Sequence, residues 1–169
     1  MYVLKIVDLF LIVLISTYIG IYKSKVFEKR VFELRQIKNS LEIFKSKIEF
    51  TYEPIKDIFL DISKIVYERK ENIFENFCKL VDYKDVYIAW NESVEKTFSH
   101  LEKEDKDIVL MLGKLLGKTD KTGQINEINM VSNFLDEQIL KSEENRKKNE
   151  KLYKTLGGVI GLTIAIIFI

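Results

Sequence analysis

The sequence predicts an all-α protein: a cytoplasmic helical bundle of about six helices, flanked by an N-terminal and a C-terminal transmembrane helix. Both ends of the chain are apolar, and the 169 residues include one proline and seven glycines. Apolar residues between the ends recur at helical spacing, and so few chain breakers favour long helices over many short strands. The predicted segments are a transmembrane helix (1–22), a cytoplasmic helical domain (23–140), a charged helical stalk (141–154) and a transmembrane helix (155–169).

The two apolar ends predict a membrane hairpin. Residues 156–169 carry no charged side chain, and residues 1–22 are interrupted only by Lys5 and Asp8. At about 1.5 Å per residue the first segment reaches about 33 Å and the second about 21 Å, against a hydrocarbon core of roughly 30 Å. Local thinning of the bilayer accommodates the shorter one. A secretory signal peptide is the alternative for the first segment, but no small-x-small cleavage site precedes Lys23.

Basic residues flank both apolar segments on the side of the central domain. Cationic flanks remain in the cytoplasm, so we expect the domain to be cytoplasmic and both termini to be external. The flanking cations are Lys23, Lys25, Lys29 and Arg30 after the first segment, and Arg146, Lys147, Lys148, Lys151 and Lys154 before the second.

The charge balance and the few cysteine and histidine residues between the apolar ends argue against several classes of function. Its 26 basic and 25 acidic residues nearly cancel, which argues against a nucleic-acid partner. The single cysteine, Cys78, lies among apolar residues and is expected to be a small buried hydrophobe in a reducing compartment. With one histidine, His100, no metal site or other cofactor is expected.

Apolar residues repeat every seven positions along the first helix, which is expected to continue without a break to about Thr51. An intramolecular core stripe is favoured over a self-associating coiled coil because Arg30 falls on the seam, although a homo-oligomer stays open. The seam residues are Phe27, Leu34, Ile37, Leu41, Phe44 and Ile48.

Four further helices precede the C-terminal one. Trp90 is expected to anchor the core, and His100 is expected to be a solvated residue at a helix end. Asp85 suits an N-cap, and Asp120 or Thr122 can cap the last helix, which is expected to begin near Gly123. The expected bounds are 54–67, 71–81, 85–100 and 106–116.

The segment from Gly113 to Thr119 looks at first like a phosphate-binding loop. Such a loop has four residues between its first glycine and the Gly-Lys pair, whereas three stand here. A strand should precede it, yet residues 106–116 have helical spacing. The alternative is that Gly117 ends a helix and Gly113 marks the close approach of another helix. Gly113, Gly117, Asp120 and Gln124 cluster at this junction, which we expect to be either a docking corner or a purely structural cap.

Small residues recur inside both membrane segments. Gly157, Gly161 and Ala165 stand four apart, and Ser16 and Gly20 form a second pair with the same spacing. Such faces let helix backbones approach closely in lipid. We expect the two segments to pack together, or against another membrane component, along these faces.

In their order and spacing the residues resemble the stage III sporulation protein AB family of endospore-forming bacteria, over nearly the whole chain. The marks are Leu34-Arg35-Gln36-Ile37, Tyr52-Glu53-Pro54-Ile55, Ala89-Trp90-Asn91-Glu92-Ser93, Leu112-Gly113, Leu116-Gly117 with Asp120 and Gln124, and Leu156-Gly157.

The resemblance implies a non-enzymatic role in the channel complex between mother cell and forespore. Members look like the inner-membrane platform protein of type II secretion, which couples a cytoplasmic ATPase to membrane components. The implied partners are an AA-type stage III sporulation ATPase, other membrane proteins of the complex and membrane lipid. Candidate partner-binding residues are Arg35, Gly113, Gly117, Asp120 and Gln124. The alternatives are a generic membrane-tethered adaptor or signalling protein, and an enzyme that binds nucleotide at residues 113–119.

Overall fold

The computed structural model describes residues 2–51, 53–66, 72–116 and 118–168, with the backbone alone at residues 2–6, 66 and 115. Throughout these ranges the ordered elements are helices, which confirms the all-α class. A long helix stands at each end and four short ones lie between. The helices are α1 (Tyr2–Phe50), α2 (Ile55–Val66), α3 (Ile73–Leu80), α4 (Val86–Thr97), α5 (Lys103–Leu115) and α6 (Lys121–Phe168).

The chain forms two compact units. The hairpin unit comprises Met1–Val31 and Leu140–Ile169, and the helical unit comprises Phe32–Ile139. The first nine residues of the predicted domain, 23–31, and the whole predicted stalk, 141–154, therefore lie in the hairpin unit. Within that unit the ring of Phe27 stacks on that of Tyr153, with 5.8 Å between the ring centroids, so the two long helices already pack together in their charged regions.

The core of the helical unit is built on the seven-residue stripe of α1. Leu34, Leu41 and Phe44 are fully buried there, so this stripe packs within the chain, as predicted. Phe59 of α2 lies 4.7 Å from Phe44 between ring centroids and 5.8 Å from the indole of Trp90. Rings of α1, α2 and α4 thus meet in one aromatic cluster, at distances typical of favourable aromatic pairs.

Polar side chains fix where the short helices begin. Asn72 accepts a hydrogen bond from the backbone N–H of Glu75 at 2.7 Å, and Asp85 accepts one from Tyr87 at 2.9 Å. Both are N-caps that satisfy backbone donors at a helix start. The carboxylate of Asp105 accepts from the backbone N–H of Glu102 at 2.9 Å. This reciprocal cap starts α5 at Lys103, three residues before the position predicted from its apolar spacing.

Candidate functional site

Within the hairpin unit, α1 and α6 run antiparallel and touch through small residues. The hydroxyl of Ser16 donates a hydrogen bond to the backbone carbonyl of Gly157 at 2.6 Å. In an environment without water, a hydroxyl that finds a backbone acceptor on the neighbouring helix adds a directional contact to van der Waals packing. The serine therefore joins the two helices directly.

Three glycines of this contact have no room for a side chain. A methyl group on Gly20 would lie 2.5 Å from the carbonyl oxygen of Tyr153, and one on Gly157 would lie 2.8 Å from that of Ser16. A methyl group on Gly161 would lie 2.9 Å from the Cα of Val13. Because each obstacle is backbone, none can move aside cheaply, and these glycines set the distance between the helices.

The neighbouring glycine behaves differently. A methyl group on Gly158 would meet no packing neighbour within 4 Å, so this residue is outside the contact. Ala165, the last small residue of the predicted face, is half-buried. The structure thus brings together Ser16, Gly20, Gly157 and Gly161, while the functional role of this face stays a prediction.

The outer surface of the hairpin unit is apolar. By length and composition α1 and α6 each contain a stretch able to cross a membrane, yet only 11% and 17% of those stretches are buried within the protein. Phe10 is 62% exposed and Ile167 is 72% exposed. A core helix of a soluble protein would bury such side chains, so this surface indicates association with a membrane.

In the helical unit, Gly113 of α5 lies under the ring of Trp90. A methyl group on Gly113 would be 2.7 Å from Cγ of the indole, and the indole Nε1–H donates to the carbonyl oxygen of Val109 at 2.8 Å. Gly113 is buried by this contact. It is therefore the point of close approach between two helices that its spacing predicted, and Trp90 is the predicted core anchor.

The start of α6 is an exposed cap. The carboxylate of Asp120 accepts from the backbone N–H of Gly123 at 2.8 Å, so Asp120, not Thr122, is the N-cap and the helix begins at Lys121. Gln124 reaches back and donates to the carbonyl oxygen of Thr119 at 3.1 Å. Asp120 is exposed, which leaves its second carboxylate oxygen available to a partner. Gly117, the other residue predicted here, lies outside the described residues.

Arg35 belongs to a different surface. Lys121, the first residue of α6, donates to the carbonyl oxygen of Glu49 on α1. Arg35 is exposed and stands fourteen residues before Glu49 on the same helix, which is about 21 Å along its axis. Arg35 therefore does not cluster with Asp120 at the start of α6.

Glu33 and His100 form a pair that the sequence did not predict. His100 Nδ1 lies 2.7 Å from a carboxylate oxygen of Glu33, and the backbone N–H of His100 donates to the other oxygen at 3.2 Å. The prediction of a solvated histidine at a helix end was wrong, since α4 ends at Thr97 and the loop folds His100 onto α1. The sequence signal for this pair was the position of Glu33, a charged residue directly before the seam residue Leu34.

Ser99, His100 and Glu33 do not form a catalytic triad. The hydroxyl of Ser99 lies 3.0 Å from Nδ1 of His100, the same ring nitrogen that faces Glu33. A triad uses the two ring nitrogens separately, one for the nucleophile and one for the acid. Within the described ranges there is also no group of three or more potential metal ligands.

Ion pairs at the surface of the helical unit shift the pKa values of a few carboxylates and amines. Lys47 donates to Asp61 at 2.7 Å, and this hydrogen bond raises the pKa of Lys47 and lowers the pKa of Asp61. Lys56 donates to Asp82, which raises the pKa of Lys56. Both pairs join α2 to a neighbouring part of the helical unit.

Comparison with known proteins identifies the family of this chain. The family model for stage III sporulation protein AB matches residues 5–169. The chain belongs to the stage III sporulation protein AB family. Stage III sporulation protein AB of Bacillus subtilis (strain 168) is 24% identical over 168 residues, covering 97% of this chain and 98% of that protein.

A solved structure of stage III sporulation protein AB (SpoIIIAB) has a similar fold. It aligns with a TM-score of 0.62 at 22% identity, and the alignment covers 70% of this chain and 97% of that one. The family assignment confirms the resemblance drawn from the sequence marks and makes this chain a sporulation protein. As a member of the stage III sporulation protein AB family, it combines an apolar helical hairpin with a small helical unit.

Proposed function

We propose that this protein is a non-enzymatic membrane platform of the sporulation channel complex between mother cell and forespore. In this role it is held in the mother-cell membrane and couples a cytoplasmic AA-type stage III sporulation ATPase to the membrane proteins of the complex. The helical unit is the cytoplasmic part and both termini are external.

The observation that carries the proposal is the close contact of the two chain ends. Ser16, Gly20, Gly157 and Gly161 pack backbone to backbone, while the outward side chains of the same helices are apolar and exposed. A hairpin of this kind is suited to lipid, because the small residues supply the packing and the large ones face the acyl chains. The helical unit is then tethered to the membrane through both of its ends.

The proposed orientation in the membrane rests on the lysines beside the two apolar segments. Exposed lysines follow the apolar part of α1 at Lys23 and Lys25, and further lysines precede that of α6 at Lys147, Lys151 and Lys154. Cations beside a membrane helix are retained in the cytoplasm. This supports a cytoplasmic helical unit with access to an ATPase.

Asp120 offers the sharpest test of ATPase docking. Asparagine at this position keeps the acceptor that caps α6 but removes the charge, whereas lysine removes the cap and reverses the charge. If the exposed carboxylate contacts the ATPase, both Asp120→Asn and Asp120→Lys weaken binding of the purified ATPase to the full chain. If the residue is a cap alone, Asp120→Asn leaves binding unchanged.

Site-specific cross-linking from sporulating cells tests the platform itself. Photo-reactive residues at exposed positions of the helical unit, such as Arg35 and Asp120, should give adducts with the AA-type ATPase. Adducts with unrelated signalling proteins, and none with the ATPase at any exposed position of the unit, would favour the generic adaptor.

A further inference from the structure

An open groove of about 520 Å³ lies between α1 and α6 within the hairpin unit. Its floor is formed by Ser16, Gly20 and Gly157, three of the four small residues of the helix contact. Because these residues bring the helices together without filling the space beside them, larger neighbours on both helices stand up as walls. The wall residues are Ile12, Ile15 and Ile19 on α1, and Leu156, Ile160 and Ile164 on α6.

One end of the groove is polar. Lys23 and Tyr153 line it there, and Lys23 is the charged group among the lining residues. The Lys23 side chain is exposed, and Tyr153 is held in place by stacking on Phe27. A tyrosine and a lysine at the end of an apolar helix surface are typical of the level of the lipid headgroups.

The length of the groove matches the depth of one leaflet. Ile12 and Lys23 are eleven residues apart on α1, which is about 16 Å along the helix axis. Half of a hydrocarbon core of roughly 30 Å is about 15 Å. A single acyl chain whose headgroup lies at Lys23 would therefore run along the groove to the midplane of the bilayer.

Charge indicates the headgroup. On α6, Lys147, Lys151 and Lys154 line an exposed surface depression next to Thr155, at the same end of the apolar segment. Glu150, the acidic residue among them, is engaged by Lys154 at 2.6 Å. Basic pockets between membrane helices on the cytoplasmic side favour anionic headgroups.

We propose that this groove binds one anionic phospholipid, with an acyl chain along the apolar walls and the phosphate at the Lys23 ammonium group. The proposal rests on the membrane placement of the hairpin in the proposed function. The lipid comes from the leaflet at the Lys23 end of the hairpin. The acyl chain fills the space that the small residues leave open and packs against both helices of the hairpin.

The test uses the full chain reconstituted in bilayers of equal parts phosphatidylglycerol and phosphatidylcholine. Lipids that remain bound after gentle detergent release are counted by native mass spectrometry. We expect one retained phosphatidylglycerol, preferred over phosphatidylcholine by about fivefold, the preference that one lysine supplies near a membrane surface. Lys23→Gln should lose this preference and Lys23→Arg should keep it.

Lys25→Gln is the matched control. Lys25 is an exposed lysine two residues further along α1 and does not line the groove, so its loss should leave the retained lipid in place. Equal losses in Lys23→Gln and Lys25→Gln would mean unspecific surface attraction and would overturn the proposal. Equal retention of both lipids by the unchanged chain would overturn it as well.

Two readouts separate this inference from the proposed function. Flotation of the reconstituted chain with the vesicles reports membrane integration independently of lipid preference. A chain that floats but retains no phosphatidylglycerol refutes the lipid site alone, and a chain that does not float refutes both. A photo-reactive residue at Ile19 should capture lipid in cell membranes; capture of a protein helix there instead would assign the groove to another occupant and overturn the lipid site.

Discussion

The indole ring of Trp90 covers the bare Cα of Gly113, twenty-three positions later in the chain, and its Nε1–H donates to the Val109 carbonyl oxygen one helical turn earlier. A single side chain of α4 therefore fixes both the distance and the register of α5. The hydrogen bond satisfies the polar end of a ring that is otherwise in the core. Because Gly113 has no side chain, the apolar face of the ring can pack directly against its Cα.

Gly113→Ala should destabilise the helical unit. The new methyl group would lie 2.7 Å from indole Cγ, so the ring must move. Overpacking of this kind costs about 1–3 kcal/mol, partly offset by the roughly 1 kcal/mol that alanine contributes to a helix over glycine. Urea unfolding of the full chain in detergent, followed by circular dichroism, measures the difference. Lys114→Ala, at the exposed next position, is the control and should change stability by under about 0.5 kcal/mol.

A disulfide should form between cysteines placed at Ser16 and Gly161. The Cβ of Ser16 lies 3.1 Å from the position of a Cβ on Gly161. A cysteine at Gly161 must therefore push the two helices apart by about half an ångström, which relieves its contact with Val13 and brings the pair to the Cβ–Cβ separation of about 3.5–4.5 Å in native disulfides. Mild oxidation of membranes, followed by a gel-mobility assay, detects the bond. The pair Ser16→Cys with Gly158→Cys should remain reduced, because Gly158 faces open space. Cross-linking of both pairs at the same rate would contradict the packing.

Cys78 should be unreactive toward iodoacetamide in the folded protein. Burial raises the pKa of its thiol to about 11, so about one molecule in a thousand carries the reactive thiolate at pH 8. Labelling, measured by mass, should become fast only in denaturant. In the comparison variant, a cysteine at the exposed Ser46 with Cys78→Ser should react quickly under native conditions. Rapid native labelling of Cys78 would show that this part of the core opens readily.

The Lys47–Asp61 pair predicts a stability difference that depends on pH. The hydrogen bond from Lys47 lowers the pKa of Asp61 below its ordinary value of 3.8 in the folded state. The contribution of the pair is therefore present above that pH and is lost as the pH falls through the folded-state pKa. Asp61→Asn should lower the urea midpoint at pH 7 and converge with the unchanged chain in acid.

A double-mutant cycle isolates this effect. In a Lys47→Met background, Asp61→Asn should produce a smaller loss at pH 7 and weaker pH dependence, because the partner that lowers the pKa is gone. An identical pH profile in both backgrounds would assign the acid sensitivity to other carboxylates.

Part of each candidate site could be anticipated from spacing. The repeat of small residues at Gly157 and Gly161 indicated a packing face, because residues four apart share one side of a helix. The same reasoning grouped Gly113 with Asp120, although one is buried beneath Trp90 and the other is an exposed cap. Proximity in sequence could not separate these two roles, since it does not say which neighbouring helix covers a residue.

The sequence by itself determined the helices, the N-cap at Asp85 and the apolar ends of this protein, because periodicity, capping chemistry and charge act over one or two helical turns. Tertiary structure alone decided which faces meet: Glu33 with His100 across 67 residues, and Ser16 with Gly157 across 141. Such pairs are selected by the packing of whole helices. An amphipathic stripe shows which face of a helix is buried but not which other helix covers that face. For that reason the buried seam was predictable, whereas the histidine that folds onto α1 and the groove beside the glycines were not.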